Sequence, residues 1–185
     1  MAHRKIKFER EKYYHRGVLK TNIFLETDNY LFLLEKVQKY SAELGINIIA
    51  YCLMPNHYHF LVQQKGEQPV RKFVQRLFNS FTKAFNKKYD RSGTLFEGPY
   101  KAVCVEDTSY LIHLCRYIHR NPLDAKLVNR IGEWPFSNLK EWLGMRNGSL
   151  FDQEFQNTYF DSSEEYLDFL KTVESKENLD KYLFE

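Results

Sequence analysis

Between Ile46 and Gln64 the chain holds two runs rich in β-branched and aromatic residues, separated only by Met54-Pro55-Asn56. Runs of that composition read as strands, and the proline-bearing tripeptide turns the chain from the first into the second. The second run contains His57, Tyr58 and His59. Side chains two apart on a strand point the same way, so both imidazoles face one side and Tyr58 faces the other. Two neutral imidazoles on a rigid strand are part of a metal site. Taken alone, such a pair is weak evidence, since histidines on a half-buried strand more often just satisfy hydrogen bonds at a sheet edge.

The flanking segments give the order of elements. Tyr13 to Leu19 reads as a first strand, and Asp28 is placed to cap a helix to about Leu44, with Gly45 as its stop. Lys65 to Pro69 is a loop, and Val70 to Lys88 has the strongest helical pattern in the chain. Phe96 to Val105 reads as extended, and Asp107 or Thr108 caps a helix to about Asn121, stopped by Pro122. Strand, helix, strand, strand, helix, strand is the order of a split β-α-β, ferredoxin-like unit. That predicts an α+β fold with helices on one face of an antiparallel sheet, followed by extra C-terminal helices. Ser162 and Glu165 form a capping box for a short acidic helix through Val173.

At 185 residues with 43% hydrophobic content, one real core is expected. No apolar stretch is long enough to span a bilayer. The charged start, Met1 to Lys5, lacks the apolar run of a signal peptide, so a cytoplasmic protein is expected. Cys52, Cys104 and Cys115 lack C-x-x-C spacing and read as reduced packing residues. The net charge of +3 hides a division: residues 1–149 carry 24 Lys and Arg against 14 Asp and Glu, residues 150–185 only 3 against 10. The first part is expected to be a catalytic domain and the second an acidic helical extension. So basic a body suits an anionic polymer as partner.

On the helix from Val70 to Lys88, the residues Lys72, Arg76, Lys83 and Lys87 share one sector, with Asn79 and Ser80 beside them. Val70, Val74, Leu77, Phe81, Ala84 and Phe85 lie opposite. One face therefore enters the core while the other presents cations in a row. With no acidic residue on the stripe to form i,i+4 pairs, the row points to nucleic-acid phosphates. On the helix from Tyr110, the residues Leu111, Leu114, Cys115 and Ile118 are core positions, and Tyr117 and Asn121 lie four apart on one flank. With His57 and His59, Asn121 would complete a mixed N/O donor set with open positions, which suits Mg²⁺ or Mn²⁺ on a phosphate oxygen better than a closed zinc site. Individually, Tyr117 also reads as a boundary tyrosine and Asn121 as a helix cap before proline.

Together, Tyr51-Cys52-Leu53-Met54-Pro55-Asn56-His57-Tyr58-His59-Phe60-Leu61-Val62 and Arg116-Tyr117-Ile118-His119-Arg120-Asn121-Pro122 resemble the single-tyrosine HUH transposases. Within these the chain looks most like the REP-associated tyrosine transposases, a bacterial group. The likeness continues through Tyr14-His15-Arg16-Gly17, Arg91 to Gly98, and Trp134-Pro135-Phe136-Ser137, covering roughly residues 8 to 145. It implies that His57 and His59 bind a divalent metal, that Tyr117 is the nucleophile, and that Asn121 is the third metal-side ligand. It also implies metal-dependent cleavage and transfer of single-stranded or hairpin DNA through a 5′-phosphotyrosine. DNA contacts are then expected from Lys72, Arg76, Lys83 and Lys87, and from Arg16 and Arg120 within the shared motifs. No membrane or small-molecule cofactor is implied, and the protein would act as a monomer or a homodimer. Three positions depart from the pattern: Tyr58 replaces a purely hydrophobic residue, His15 stands where Asn is common, and Pro99 where a basic residue is common.

Other readings stay open on sequence. A hairpin-DNA-binding protein of the same fold would have lost cleavage. A metal hydrolase of small substrates would need a pocket without a basic groove. An RNA-binding ferredoxin-like domain would have incidental histidines. The acidic extension either folds over the basic surface and competes with DNA, or completes the core through Tyr166, Phe169 and Leu170.

Overall fold

A computed structural model describes residues 10–105 and 107–172. Strands β1 (Arg10–Arg16), β2 (Ile46–Met54), β3 (His57–Gln64) and β4 (Lys101–Cys104) form one sheet in the order β2-β3-β1-β4. Every adjacent pair is antiparallel. Helix α1 (Thr27–Leu44) connects β1 to β2 and helix α2 (Val70–Lys88) follows β3, which is the split β-α-β arrangement expected. Helices α3 (Thr108–Asp124), α4 (Leu139–Trp142), α5 (Gln153–Tyr159) and α6 (Ser163–Lys171) come after β4.

Helices cover both faces of the sheet rather than one. α1 and α2 pack against one face through Leu33, Val37, Phe73, Leu77, Phe78 and Phe81, which meet Tyr13, Tyr58, Phe60 and Val62 of the strands. α3 covers the other face with Leu111, Leu114, Cys115 and Ile118 against Ile49, Ala50, Cys52 and Leu61. A β-bulge between Ile48 and Ala50 interrupts the alternation of β2. Ile48, Tyr51 and Leu53 face α1 and α2, whereas Ile49, Ala50, Cys52 and Met54 face α3, because the extra residue resets the alternation. Trp142, Phe155, Phe160, Tyr166 and Leu170 complete this second core, so the described part of the acidic extension packs against α3. The expected helix end at Val173 lies outside the described residues.

Several boundaries differ from the sequence reading for local reasons. β1 stops at Arg16; beyond it Gly17 bridges Phe96, and Val18–Lys20 forms a single 3-10 turn. The cap of α1 is Glu26, not Asp28, because Glu26 and Asn29 exchange side-chain and backbone hydrogen bonds as a capping box. Gly45 ends α1 in the left-handed region at φ 65°, and a Cβ there would lie 2.8 Å from Gly66 backbone. That crossing ties the start of β2 to the loop after β3. Pro122 does not stop α3: the helix continues to Asp124, since a proline in the last turn costs only one ladder bond. Asp107 caps its start, accepting from the backbone N–H groups of Ser109 and Tyr110.

Candidate active site

The register of β1 against β3 decides which side chains surround the histidines. Lys12 pairs with Leu61, Tyr14 with His59 and Arg16 with His57, so all six point toward α3. The two imidazoles meet edge to face with centroids 4.9 Å apart. The Tyr14 ring backs both, at 5.5 Å from His57 and 5.2 Å from His59. Arg16 lies over Tyr14 and donates from Nε to its hydroxyl at 2.6 Å. Asn56 fixes the first imidazole: its Oδ1 lies 2.7 Å from His57 Nδ1. An amide oxygen only accepts, so Nδ1 carries the proton and Nε2 is the nitrogen that can ligate. His59 is fully buried. Burial, and then the nearby charges of His57, Lys12 and Arg16, hold its pKa well below the ordinary histidine value. It is therefore neutral, the form that binds metals.

Helix α3 brings Tyr117 to this cluster. Its ring stands edge-on to His59 with centroids 5.3 Å apart, and Lys12 Nζ lies 4.6 Å from its ring centroid. Asn121 is buried one helical turn further along, with its backbone carbonyl taken by Ala125. Among the described residues, no group of three His, Cys, Asp or Glu side chains is placed to hold a metal. Imidazole nitrogens and an amide oxygen are donors that a divalent cation accepts, and His57, His59 and Asn121 carry them.

The expected DNA-contact residues divide. Lys72 and Lys83 line a groove of about 1110 Å³ between α2 and the segment Thr94–Tyr100, joined by Arg71, Gln75, Asn79 and Thr82. The groove lies on the α2 side, where His15 stacks on Phe96 at 4.5 Å. Lys87 is exposed but lies outside the groove's lining. Arg76 is turned instead to α1, pairing with Glu43 at 2.8 Å and lying over Tyr40. Arg120 faces α6, donating to the Leu170 carbonyl at 2.6 Å and to Asp124 at 2.9 Å. Arg76 and Arg120 thus have protein partners, Glu43 on α1 and the Leu170 carbonyl on α6, that a count along a single helix does not show. Lys12 and Arg71 carry no signal in the sequence, and Tyr14 only its place in the motif Tyr14-His15-Arg16-Gly17. The i,i+2 spacing of Lys12, Tyr14 and Arg16 puts them on one face, but only the register with β3 makes it the histidine face.

A split β-α-β sheet carrying a histidine pair, faced by a helix-borne tyrosine, defines the class of single-tyrosine HUH transposases. The chain belongs to the IS200-like transposase family, whose description, "Transposase IS200 like", matches residues 12–121. Membership makes it an enzyme acting on DNA in transposition. Among solved structures, it is similar to a REP-associated tyrosine transposase bound to a REP hairpin, with a TM-score of 0.64 at 16% identity over 82% of this chain and 94% of that one. It also matches a protein described as a transposase from Deinococcus radiodurans R1, with a TM-score of 0.46 at 12% identity over 70% of this chain and 95% of that one. No curated protein matches the sequence. At such identities the likeness speaks to fold alone. Among the described residues, no helix is long and apolar enough to cross a membrane.

Proposed function

We propose that this chain cleaves and rejoins single-stranded DNA beside a folded hairpin through a 5′-phosphotyrosine on Tyr117, with Mg²⁺ or Mn²⁺ held by His57, His59 and Asn121. One observation carries the reading: the Tyr117 ring packs edge-on against His59, across a long separation in sequence. The cation would polarise the scissile phosphate and offset the charge gathering on its oxygens. Asn56 and Tyr14 orient the imidazoles, so the donor atoms are set before DNA arrives. Tyr117 oxygen then forms a bond to phosphorus as the bond to the 3′ oxygen breaks. The phenol proton passes to solvent, and the departing oxygen takes one up as a 3′-hydroxyl. Because the phosphodiester energy stays in the tyrosine link, a second 3′-hydroxyl can reverse the step without ATP.

Substrate class follows from the groove. Arg71, Lys72 and Lys83 would meet phosphates of a hairpin stem or its flank, each contact releasing counterions, with Arg16 near His57 and exposed Lys87 as further candidates. The fold shared with a hairpin-bound transposase supports that choice of partner. We further assign residues 1–149 as the catalytic part and 150–185 as an acidic extension whose described portion braces it. Tyr166, Phe169 and Leu170 of α6 contact His119, Arg116 and Arg120 of α3, which favours a monomer whose tyrosine serves its own histidines.

Incubation with hairpin-bearing single-stranded DNA and Mn²⁺ should yield a peptide containing Tyr117 joined to a nucleotide by mass spectrometry. The adduct should vanish in Tyr117→Phe and on chelation of the metal. Tight hairpin binding without an adduct, across varied hairpins, would favour a silent DNA-binding protein instead.

A further inference from the structure

Lys12 is among the largest fully buried side chains of the protein, at 1% exposure. It stands in the middle of β1, paired across the sheet with Leu61 on one side and Val103 on the other. Lysine is almost never fully buried without a reason, because its ammonium must be compensated. Here the ammonium lies 4.6 Å from the centroid of the Tyr117 ring, on the face of the sheet that carries the histidines. The same ring meets His59 edge-on, so two strands hold it from two directions.

We propose that Lys12 is a positioning residue for Tyr117, fixing the ring beside His59 and attracting the charge the ring acquires while its oxygen is bonding to or leaving phosphorus. This deepens the phosphotyrosine reading and rests on it. A cation near an aromatic ring is attracted by the ring's quadrupole, and more strongly when desolvated. In the rejoining step, the incoming 3′-hydroxyl oxygen bonds to phosphorus and gives its proton to solvent. The bond from phosphorus to Tyr117 oxygen breaks, and that oxygen departs with the electron pair before taking a proton from solvent. Part of the departing charge spreads into the ring, so the attraction to Lys12 grows along the reaction coordinate. An interaction stronger at that point than in the ground state raises the rate without tightening DNA binding. Cleavage traverses the same arrangement in reverse and gains equally. Because β1 and β3 are hydrogen-bonded neighbours, the cation needs no rearrangement to act.

The test compares wild type, Lys12→Met and Lys12→Arg in single-turnover cleavage and rejoining at saturating hairpin DNA and Mn²⁺, with DNA affinity measured separately. Methionine keeps the apolar stem and removes the charge. Lys12→Met should slow both steps by about tenfold with DNA affinity unchanged, and Lys12→Arg should recover part of the loss. A second readout is independent of activity: 3-fluorotyrosine placed at position 117 should show a displaced ¹⁹F resonance in Lys12→Met. Unchanged rates, a loss confined to DNA affinity, or an unmoved resonance would each overturn the proposal. If wild type formed no adduct while the resonance still moved, the phosphotyrosine reading would fall and the anchorage of the ring by Lys12 would stand.

Discussion

The two faces of the same two strands have been put to opposite uses. On the α2 side, β1 and β3 present Tyr13, Tyr58, Phe60 and Val62 to an aromatic interior in which Tyr58 stacks on Phe78 at 4.0 Å. On the α3 side, the intervening residues are buried Lys12, Tyr14 and His59 with half-buried His57, polar groups gathered beside Tyr117. One residue of register therefore separates adhesion from chemistry. A strand delivers that separation automatically, since neighbours along it point to opposite faces. The sheet's rigidity, built on one side, positions the reactive groups on the other.

The sharpest way to break this contrast is to alter neighbours within β3. His59→Gln should cut Mn²⁺-dependent adduct formation by at least about a hundredfold while leaving the fold intact, because the ligand is lost but the volume is nearly kept. Adduct yield on a denaturing gel, with circular dichroism as the control, reads both. An equal yield in the variant would remove His59 from the metal site. Tyr58→Ala should do the reverse. Removing a fully buried, stacked aromatic should cost about 3–5 kcal/mol of unfolding free energy in urea. Adduct formation per folded molecule should change by less than about twofold, since the ring faces away from the reaction. A large catalytic loss with little destabilisation would mean the two faces are not separable.

A smaller effect is expected at the groove. Lys72 and Lys83 are exposed and line it, so the double change Lys72→Ala with Lys83→Ala should weaken hairpin binding and flatten the dependence of log affinity on log salt by about two. Arg76→Ala should alter neither, because that guanidinium already pairs with Glu43. The single-turnover rate at saturating DNA should be unaffected in both variants, which keeps the groove's contribution distinct from that of the α3 side. If Arg76→Ala weakened binding as much as the double change, the division of the basic stripe would be wrong.

What sequence reveals here depends on the range of the physical cause. α2 was delimited to the residue, Val70–Lys88, because a 3.6-residue period and the Pro69 entry are local signals. β3 was legible to Gln64, and with it the shared face of His57 and His59. The cap of α1 lies two residues before the Asp28 that the sequence suggests, because Glu26 and Asn29 make a reciprocal cap that propensity alone does not rank above an Asp. β4 is only Lys101–Cys104, because strand identity needs a continuous ladder and Glu97 and Val105 reach β1 through single hydrogen bonds. The bulge at Ile48 and Ala50 puts Ile49 and Ala50 together in the core beneath α3, which no pattern in the run Ile46 to Met54 announces. At the site, Tyr117 and the histidines were recognisable as motifs, whereas Lys12 and Tyr14 became visible only through strand register.

The second face also carries a buried polar cluster away from Tyr117, and its pH response offers a further contrast. His119 Nε2 lies 2.9 Å from Asn138 Oδ1, so it donates, and Nδ1 accepts from the Tyr166 hydroxyl at 2.6 Å. Burial depresses its pKa from 6.5 to about 4, opposed by the bond to Asn138. The unfolded chain therefore takes up this proton first as pH falls. The contribution to stability is complete above about pH 6.5 and is lost progressively toward pH 4, reaching at most about 3 kcal/mol. Urea midpoints measured from pH 7.5 to pH 4.5 should decline more steeply for wild type than for His119→Gln, which has no proton to gain. On the α2 side, half-buried His15 is lowered in the same direction by burial, while hydrogen bonds to Gly98 and Glu97 backbone resist the shift. His15→Gln should therefore flatten the profile less than His119→Gln. Equal slopes in both variants would mean that the two faces resist protonation alike, and that the polar interior beneath α3 is no drier than the edge of the groove.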